Sequence, residues 1–241
     1  MSNNWSKINS ILGGKDQHYA GRAVAISGDG QVVAVGQDIN NKNLDRGPVY
    51  IYKRRGDSWV QIGNGLQGSE RSKFGHSLSL SKNGEILSIG APHEGSGKVY
   101  IYKLVNSNWQ QIGSAISGEK SGDEFGYSLS ISDDGNIVAI GARFSDQNGM
   151  NAGSVKIYRN NGGSWSQYGG TIKGDKQFDY SGKSVSLSSD GSTVAIGANG
   201  GSHGGNNHQE GKVKIFNIEN NTCKLKGEII GESANDEAGF S

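Results

Sequence analysis

The stretch FGHSLSLSKNGEILSIGAPHEGSGKVYIY, residues 74–102, decides the fold. Serine alternates with leucine from Ser77 to Ser81, which is the period of two expected of a β-strand. Asn83-Gly84 follows, and Asn-Gly between apolar runs is the strongest short signal for a hairpin. EILSIGA and KVYIY supply two more strands, and the polar turn VNSN leads to a fourth around Trp109. One unit is therefore predicted to be an antiparallel meander of four strands.

This unit is repeated along the chain. Trp5, Trp59, Trp109 and Trp165 are separated by 54, 50 and 56 residues, and the Asx-Gly turns keep nearly the same spacing. Four-stranded meanders repeated at this length are typical of β-propeller blades. The sequence therefore predicts an all-β fold made of propeller blades.

The first strand of each unit has two unlike faces. In RAVAIS, HSLSLS, YSLSIS and KSVSLS, one face carries Leu, Val or Ile, and the other carries only Ser or Ala. Blades converge toward an axis, so the innermost strands need small side chains to approach closely. A sandwich would instead place water-facing polar residues on the second face. We expect this strand to be innermost, the Trp strand to be outermost, and the Trp side chains to pack between blades.

Counting inner strands gives the expected organisation. We predict a single β-propeller repeat region over residues 1–241, with partial blade strands at 1–14 and 239–241. The surplus strands at both ends predict an arc of a larger propeller, or one that pairs with further blades or self-associates. The complete blades are expected at 21–68, 75–118, 126–174 and 182–231.

Composition narrows the class of partner. The chain has 241 residues and a net charge of +1, with the two signs interspersed, which argues against nucleic acid. No apolar run approaches the roughly 18 residues of a membrane helix. The beginning, MSNNWSKINS, lacks an apolar signal core, so the chain as written is expected in the cytoplasm. Cys223 is alone, which excludes an intrachain disulfide, and no cofactor is expected.

The repeat resembles the FG-GAP repeat, the blade unit of the integrin α-subunit propeller and of related surface proteins. The resemblance is carried in the second copy by Phe74-Gly75, Gly90-Ala91-Pro92 and the run 97–102, and in the third by Phe125-Gly126 and Gly141-Ala142. It implies a protein-interaction or adhesion role and a cell-surface or secreted location. It covers nearly the whole chain, weakly in each copy.

One departure from that family bears on metal binding. Many FG-GAP blades carry a calcium loop between the first two strands, and calcium takes six to eight oxygen ligands. Here the connection is cut to GDGQ, KNGE, DDGN and SDGS, with at most two carboxylates each. We therefore carry over no metal site and interpret the polar residues of these turns as forming ordinary hairpin turns. His203 and His208 share a Gly-Asn loop, and we interpret them as solvated loop residues.

The loops between second and third strands vary in length and content, and we call the end of the blades that carries them the top face. They cover 38–46, 92–96, 143–152 and 199–210. Acidic residues such as Glu124, Asp175 and Asp179 cluster in the links that enter the inner strands, where we expect them to accept backbone amides. One position stands out, because the residue after the glycine that opens each inner strand changes every time. Its members are Arg22, His76, Tyr127, Lys183 and, in the fifth copy, Phe240.

These five residues, the channel-mouth row, are expected to meet at the mouth of the central channel. Two interpretations remain open: a specific binding pocket, or half-exposed positions that tolerate any residue. No G-x-S-x-G, H-E-x-x-H or phosphate loop marks an enzyme. The predicted function is a non-enzymatic binding scaffold for a protein through the top face, with Arg22, His76, Tyr127 and Lys183 as ligand-binding residues. A carbohydrate-binding propeller is the alternative, and an enzyme with its site at the channel mouth is less favoured.

Overall fold

The computed structural model describes residues 18–39, 47–200, 211–233 and 236–241. Within these ranges all regular structure is β, and the strands form four antiparallel sheets in which they follow chain order. The predicted all-β fold of four-stranded meanders is confirmed. No helix in these ranges is long and apolar enough to cross a membrane. The predicted terminal strand at 1–14 lies outside the described residues.

The strands are numbered in chain order. The first blade contains β1 (His18–Ile26), β2 (Val32–Ile39), β3 (Val49–Arg55) and β4 (Ser58–Gln61). The second contains β5 (Ser77–Leu80), β6 (Ile86–Ala91), β7 (Lys98–Val105), β8 (Asn108–Gln111) and the short β9 (Ile116–Ser117). The third contains β10 (Phe125–Ile131), β11 (Ile137–Ala142), β12 (Ser154–Asn161), β13 (Ser164–Gln167) and β14 (Ile172–Lys173). The fourth contains β15 (Ser184–Leu187), β16 (Thr193–Ala198), β17 (Lys212–Glu219) and β18 (Thr222–Ile230).

The hydrophobic core lies between blades rather than within them. Three clusters of buried residues each join two successive blades. Val49 and Ile51 of β3, for example, share a cluster with Leu87 and Ile89 of β6. Each sheet has two faces to bury, so a blade is stable only against its neighbours.

The outermost strands contribute to the same cores. Trp109 of β8 packs against the cluster between the first two blades, and Trp165 of β13 packs against the next. Cys223 holds the corresponding register on β18 and packs against the third cluster. The prediction that the tryptophans serve inter-blade packing is confirmed for Trp109 and Trp165. Trp59, on the first blade, belongs to none of the three clusters, and Trp5 lies outside the described residues.

The two faces of each inner strand make different contacts. Leu129 and Ile131 of β10 are buried against the preceding blade. On the opposite face, Ser77 donates to the carbonyl of Gly126 in the next blade, and the hydroxyl of Ser79 accepts from the amide of Ile131. Serine therefore allows close approach and also satisfies backbone groups of the neighbour.

Glycine pairs fix the distance between blades. A Cβ built on the glycine near the end of each second strand would lie between 2.1 and 2.6 Å from the carbonyl oxygen of the next blade's opening glycine. No real side chain fits at such a distance, so these positions require glycine. The pairs are Gly36 with Gly75, Gly90 with Gly126, Gly141 with Gly182, and Gly197 with Gly239.

The hairpin turns between the first and second strands lie at the end of the blades opposite the top face, which we call the bottom face, and they share one hydrogen-bond pattern. Ser132 donates to Asp134 at 2.6 Å, the same carboxylate oxygen accepts the amide of Asn136, and the Ser132 hydroxyl accepts the amide of Ile137. Equivalent bonds occur around Asp29, Asn83 and Asp190. The side chains of these turns therefore satisfy the hairpin backbone, as expected of Asx turns.

The two end blades expose apolar side chains. Val24 and Ile26 occupy on β1 the positions that Leu78 and Leu80 occupy on β5, yet they are 65% and 62% exposed. On the last strand of the fourth blade, Ile229 is 59% exposed. Successive inner strands contact one another, and no substantial contact joins the first and fourth blades among the described strands. These blades therefore form an open arc whose outer faces resemble uncovered inter-blade surfaces.

Candidate functional site

The backbone presents four of the five members of the channel-mouth row at the top face through one recurring turn. The amide of His76 donates to the carbonyl of Lys73, and that of Tyr127 donates to the carbonyl of Glu124. Lys183 and Phe240 make the same bond to Tyr180 and Glu237. The four acceptor residues have left-handed φ angles between 51° and 56°, although none is glycine. Because this strained turn recurs in the second to fifth copies, it belongs to the scaffold that positions His76, Tyr127, Lys183 and Phe240.

The structure brings the row into continuous contact across the blades. Arg22 Nη2 lies 3.4 Å from His76 Nδ1, and the rings of His76 and Tyr127 lie 4.7 Å apart. Lys183 Nζ donates to the hydroxyl of Tyr127 at 3.2 Å and lies 4.5 Å from the ring centroid of Phe240. All five residues that sequence reasoning singled out therefore form one strip, with one residue from each successive copy.

Arg143 joins this strip, and sequence reasoning missed it. Its guanidinium carbon lies 3.8 Å from the ring centroid of Tyr127 and 4.2 Å from that of Phe144. Arg143 follows the Gly141-Ala142 pair at the end of β11, where the other copies have Asp38, Pro92 and Asn199. That variation at an equivalent position was the available signal.

Glu124 fixes the side chain of Arg143 by a hydrogen bond. One carboxylate oxygen accepts Arg143 Nε at 2.7 Å, and the other lies 2.9 Å from His93 Nε2. The expectation that the link acids accept backbone amides is therefore wrong for Glu124, and Asp175 likewise pairs with Lys212 and Lys214. It is confirmed for Asp179, which accepts the amides of Asp175 and Lys176. The difference arises because neighbouring loops and strands place cations within reach of some link carboxylates.

Burial and neighbouring cations change the titration of two groups. Burial, followed by the charges of Arg22, Lys73 and Arg143, lowers the pKa of His76 to about 4, although Glu124 opposes this shift. His76 is therefore neutral near neutral pH. Burial alone would raise the pKa of Glu124, but its bonds from Arg143 and His93 outweigh burial and hold that pKa below its ordinary value. Glu124 is therefore a carboxylate whose two oxygens are already engaged.

Of the four top-face loops, which form the rim of the strip, the structure describes two in full. Loop 92–96 contributes His93, and loop 143–152 contributes Phe144, whose ring lies 5.7 Å from that of Tyr180. Asn148 ties the second loop to the next link by donating to the carbonyls of Gly174 and Asp175. Most of the predicted loops 38–46 and 199–210, including His203 and His208, lies outside the described residues. The described rim is thus aromatic and held by hydrogen bonds.

Lysines near the start of the third strands form ion pairs with carboxylates. Lys98 pairs with Glu94 at 3.0 Å, Lys156 pairs with Glu119, and Lys212 pairs with Asp175 at 2.5 Å. The last two pairs join one blade to the link from the blade before it. Among the residues that the structure describes, no group of three or more His, Cys, Asp or Glu could hold a metal ion.

One family matches part of the chain. Residues 115–158 match the FG-GAP repeat, and this segment includes Phe125-Gly126 and Gly141-Ala142. The resemblance stated from the sequence is confirmed. A search of curated protein sequences found no match.

Solved propeller structures share the fold. The hydrazine synthase of Kuenenia stuttgartiensis superposes with a TM-score of 0.59 at 12% identity, over 92% of this chain and 53% of that one. TolB from Acinetobacter baumannii gives 0.50 at 15% identity, over 85% and 44%. A functionally unknown protein from Desulfotomaculum acetoxidans gives 0.59 at 15% identity, over 96% and 62%. The chain spans less than two thirds of each of these structures, and the likeness at such identities is one of fold.

Proposed function

We propose that this array of FG-GAP-type propeller blades is a non-enzymatic binding module that takes a protein ligand on its top face. The channel-mouth row carries the proposal. Five unlike side chains occupy one repeated backbone position and touch one another across the blades. The scaffold needs the turn and the glycine that precedes this position, but it does not need a different residue in each copy. Variation on a rigid scaffold is the pattern of a recognition surface.

The composition of the strip supports protein recognition. Arg and Tyr are enriched among residues that dominate binding energy at protein interfaces, and both lie here beside Phe144 and Phe240. Among the residues that the structure describes, His76 contacts Arg22 and the ring of Tyr127, and no serine, threonine or cysteine nucleophile is paired with it. The strip is therefore better suited to hold a ligand than to transform one.

Selection of displayed peptides and small domains against the full chain tests this function. Two fourfold variants serve as probes. One replaces Arg22, His76, Tyr127 and Lys183 with serine. The other replaces Asp29, Lys82, Asp134 and Asp190 in the bottom turns with asparagine, which the second blade already carries as Asn83.

We expect selected ligands to bind the unmodified chain and the bottom-turn variant, and to lose binding to the row variant. Circular dichroism and unfolding curves establish that both variants fold. Loss of binding in the bottom-turn variant alone would place the site on the opposite face. Turnover of generic esters, glycosides or phosphates by the unmodified chain would overturn the non-enzymatic assignment. Specific binding on a glycan array without any protein ligand would favour the carbohydrate alternative.

A further inference from the structure

We propose that the channel-mouth row and Arg143 together bind a carboxylate side chain of an acidic peptide segment. Arg143, Tyr127 and Lys183 donate hydrogen bonds to that carboxylate. This inference rests on the proposed function and names the chemistry of its ligand. Three hydrogen-bond donors from two blades meet around the ring of Tyr127. A ligand that satisfies all three must be an acceptor, and a carboxylate side chain offers acceptors only.

The hydroxyl of Tyr127 is the central donor. Its oxygen accepts the ammonium of Lys183 at 3.2 Å. A lysine ammonium has no acceptor capacity, so the O–H hydrogen of Tyr127 must donate elsewhere. The hydroxyl is thus oriented by Lys183 to present its hydrogen to a further acceptor.

Arg143 is held rigidly for recognition. Stacking on Tyr127 and Phe144 fixes the plane of its guanidinium, and the bond from Nε to Glu124 fixes its rotation. The two terminal nitrogens carry four more N–H groups in a planar fork, which matches a carboxylate in a bidentate geometry. A side chain that is already ordered loses little conformational entropy when a ligand binds.

Lys183 adds a positive charge that the described structure does not neutralise. Its ammonium contacts the Tyr127 hydroxyl and the rings of Tyr127 and Phe240, and no carboxylate among the described residues forms a salt bridge with it. The lysines of the third strands differ, since Lys98, Lys156 and Lys212 each have a carboxylate partner. Glu124, the carboxylate that contacts this group, is bound on both oxygens by Arg143 and His93.

The surroundings favour an acidic peptide over a polyanion. Glu94, Glu119 and Asp175 pair with the lysines of the third strands, so those lysines are not available to bind a long anionic chain. The whole protein carries a net charge of only +1. Phe240 is 53% exposed beside Lys183 and offers an apolar surface for the residue that follows the carboxylate. A single carboxylate next to an apolar or aromatic side chain fits this pattern of charge.

The test uses capped hexapeptides that differ only at one position. The probes contain Asp-Phe or Glu-Phe between Gly and Ser residues, and the matched probes contain Asn-Phe or Gln-Phe. Binding to the full chain is followed by NMR shifts of the aromatic resonances of Tyr127 and His76. We expect the acidic probes to bind with dissociation constants on the order of 0.1–1 mM and the amide probes to bind at least about tenfold more weakly.

Variants assign the effect to the named groups. Tyr127→Phe removes only the hydroxyl, and Lys183→Met removes the charge while keeping the length of the side chain. Each should weaken the acidic probes by about fivefold or more. Lys82→Met is the matched control, because Lys82 is an exposed lysine of a bottom turn that pairs with Asp133 at 3.5 Å. It should leave binding unchanged.

Several outcomes would overturn the inference. Equal binding of acidic and amide probes at the row would refute the carboxylate while leaving the proposed function standing. Tighter binding of a phosphoserine peptide or a heparin fragment would assign the site to another anion. Absence of shifts at the row with every probe up to about 5 mM would refute the inference. The fourfold variants described above test the proposed function separately.

Discussion

A single repeated backbone position supplies five side chains of the candidate site, and Arg143 adds a sixth. In the second to fifth copies the residue after the opening glycine has its backbone fixed by a recurring turn, and its side chain lies at the top of the inner strand against the side chains of neighbouring copies. Under the proposed function, we expect the five side chains at this position to follow the chemistry of the ligand. The same logic explains why Ser77 and Ser128, one residue further along, are identical, since both hydroxyls donate to a carbonyl of the next blade.

His76 provides a test at the scale of one residue. Burial and the charges of Arg22, Lys73 and Arg143 lower its pKa from 6.5 to about 4, with Glu124 opposing. Because the pKa of the folded state is the lower one, this group stabilises the fold fully above pH 6.5. That contribution is lost as the pH falls from 6.5 toward 4. NMR titration of the His76 ring should give a midpoint well below that of His76 in the unfolded chain.

Arg22→Gln should raise that midpoint, because it removes one of the charges that disfavour the imidazolium. A midpoint at or above 6.5 in the unmodified chain would contradict the burial of His76 among cations.

Asp190 provides a second test at this scale. Its bonds from Ser188, then from the amide and hydroxyl of Ser192, lower its pKa from 3.8 to about 2. A lowered pKa in the folded state means that the contribution is present above pH 3.8 and lost as the pH falls through 2. Asp190→Asn keeps an acceptor oxygen but cannot be protonated. The stability difference between the unmodified chain and this variant, measured by urea unfolding, should shrink over that range of pH. A difference that stays constant down to pH 2 would show that the carboxylate does not serve the turn.

At the scale of the element, the glycine pairs set how closely blades approach. A Cβ at Gly90 would lie 2.2 Å from both the carbonyl oxygen of Gly126 and the hydroxyl of Ser77. Gly90→Ala should therefore push the second and third blades apart and cost about 3 kcal/mol or more, at the upper end for overpacking in a core. Gly227→Ala is the matched control on β18, where a Cβ meets nothing within 4 Å. It should change the free energy of unfolding by less than about 0.5 kcal/mol. Equal effects of the two substitutions would mean that the close approach of the blades is not needed for stability.

The sequence predicted elements well and contacts between elements less well. Asx-Gly turns and alternating serine define the strands locally, so the meander and the inner strand could be predicted from a single copy. The row could be predicted because it follows an unchanging glycine. Arg143 could not, because its role depends on Tyr127 of the adjacent strand β10 and on Phe144 in the following loop. Glu124 was misinterpreted for the same reason, since its partners Arg143 and His93 lie on the loops that follow β11 and β6.

At the scale of the whole molecule, the core lies between blades, so the outer faces of the first and fourth blades are left uncovered. Val24 and Ile26 on the first blade are exposed where Leu78 and Leu80 are packed in the second. Ser186 of β15 is exposed, whereas its equivalents Ser79 and Ser130 accept amides of the next inner strand. These surfaces match the two sides of an inter-blade contact, so we expect them to be covered by further blades or by another copy of the chain.

The central claim is that the blades are stabilised only against one another. Sedimentation velocity of the full chain over a range of concentrations is its most direct test. A chain with two uncovered blade faces should associate as concentration rises. Replacing Val24 and Ile26 with serine and threonine should reduce that association without unfolding the chain, since both side chains are more than 60% exposed. A stable monomer at high concentration, unchanged by the substitutions, would show that the faces are covered within one molecule and would contradict the open arc.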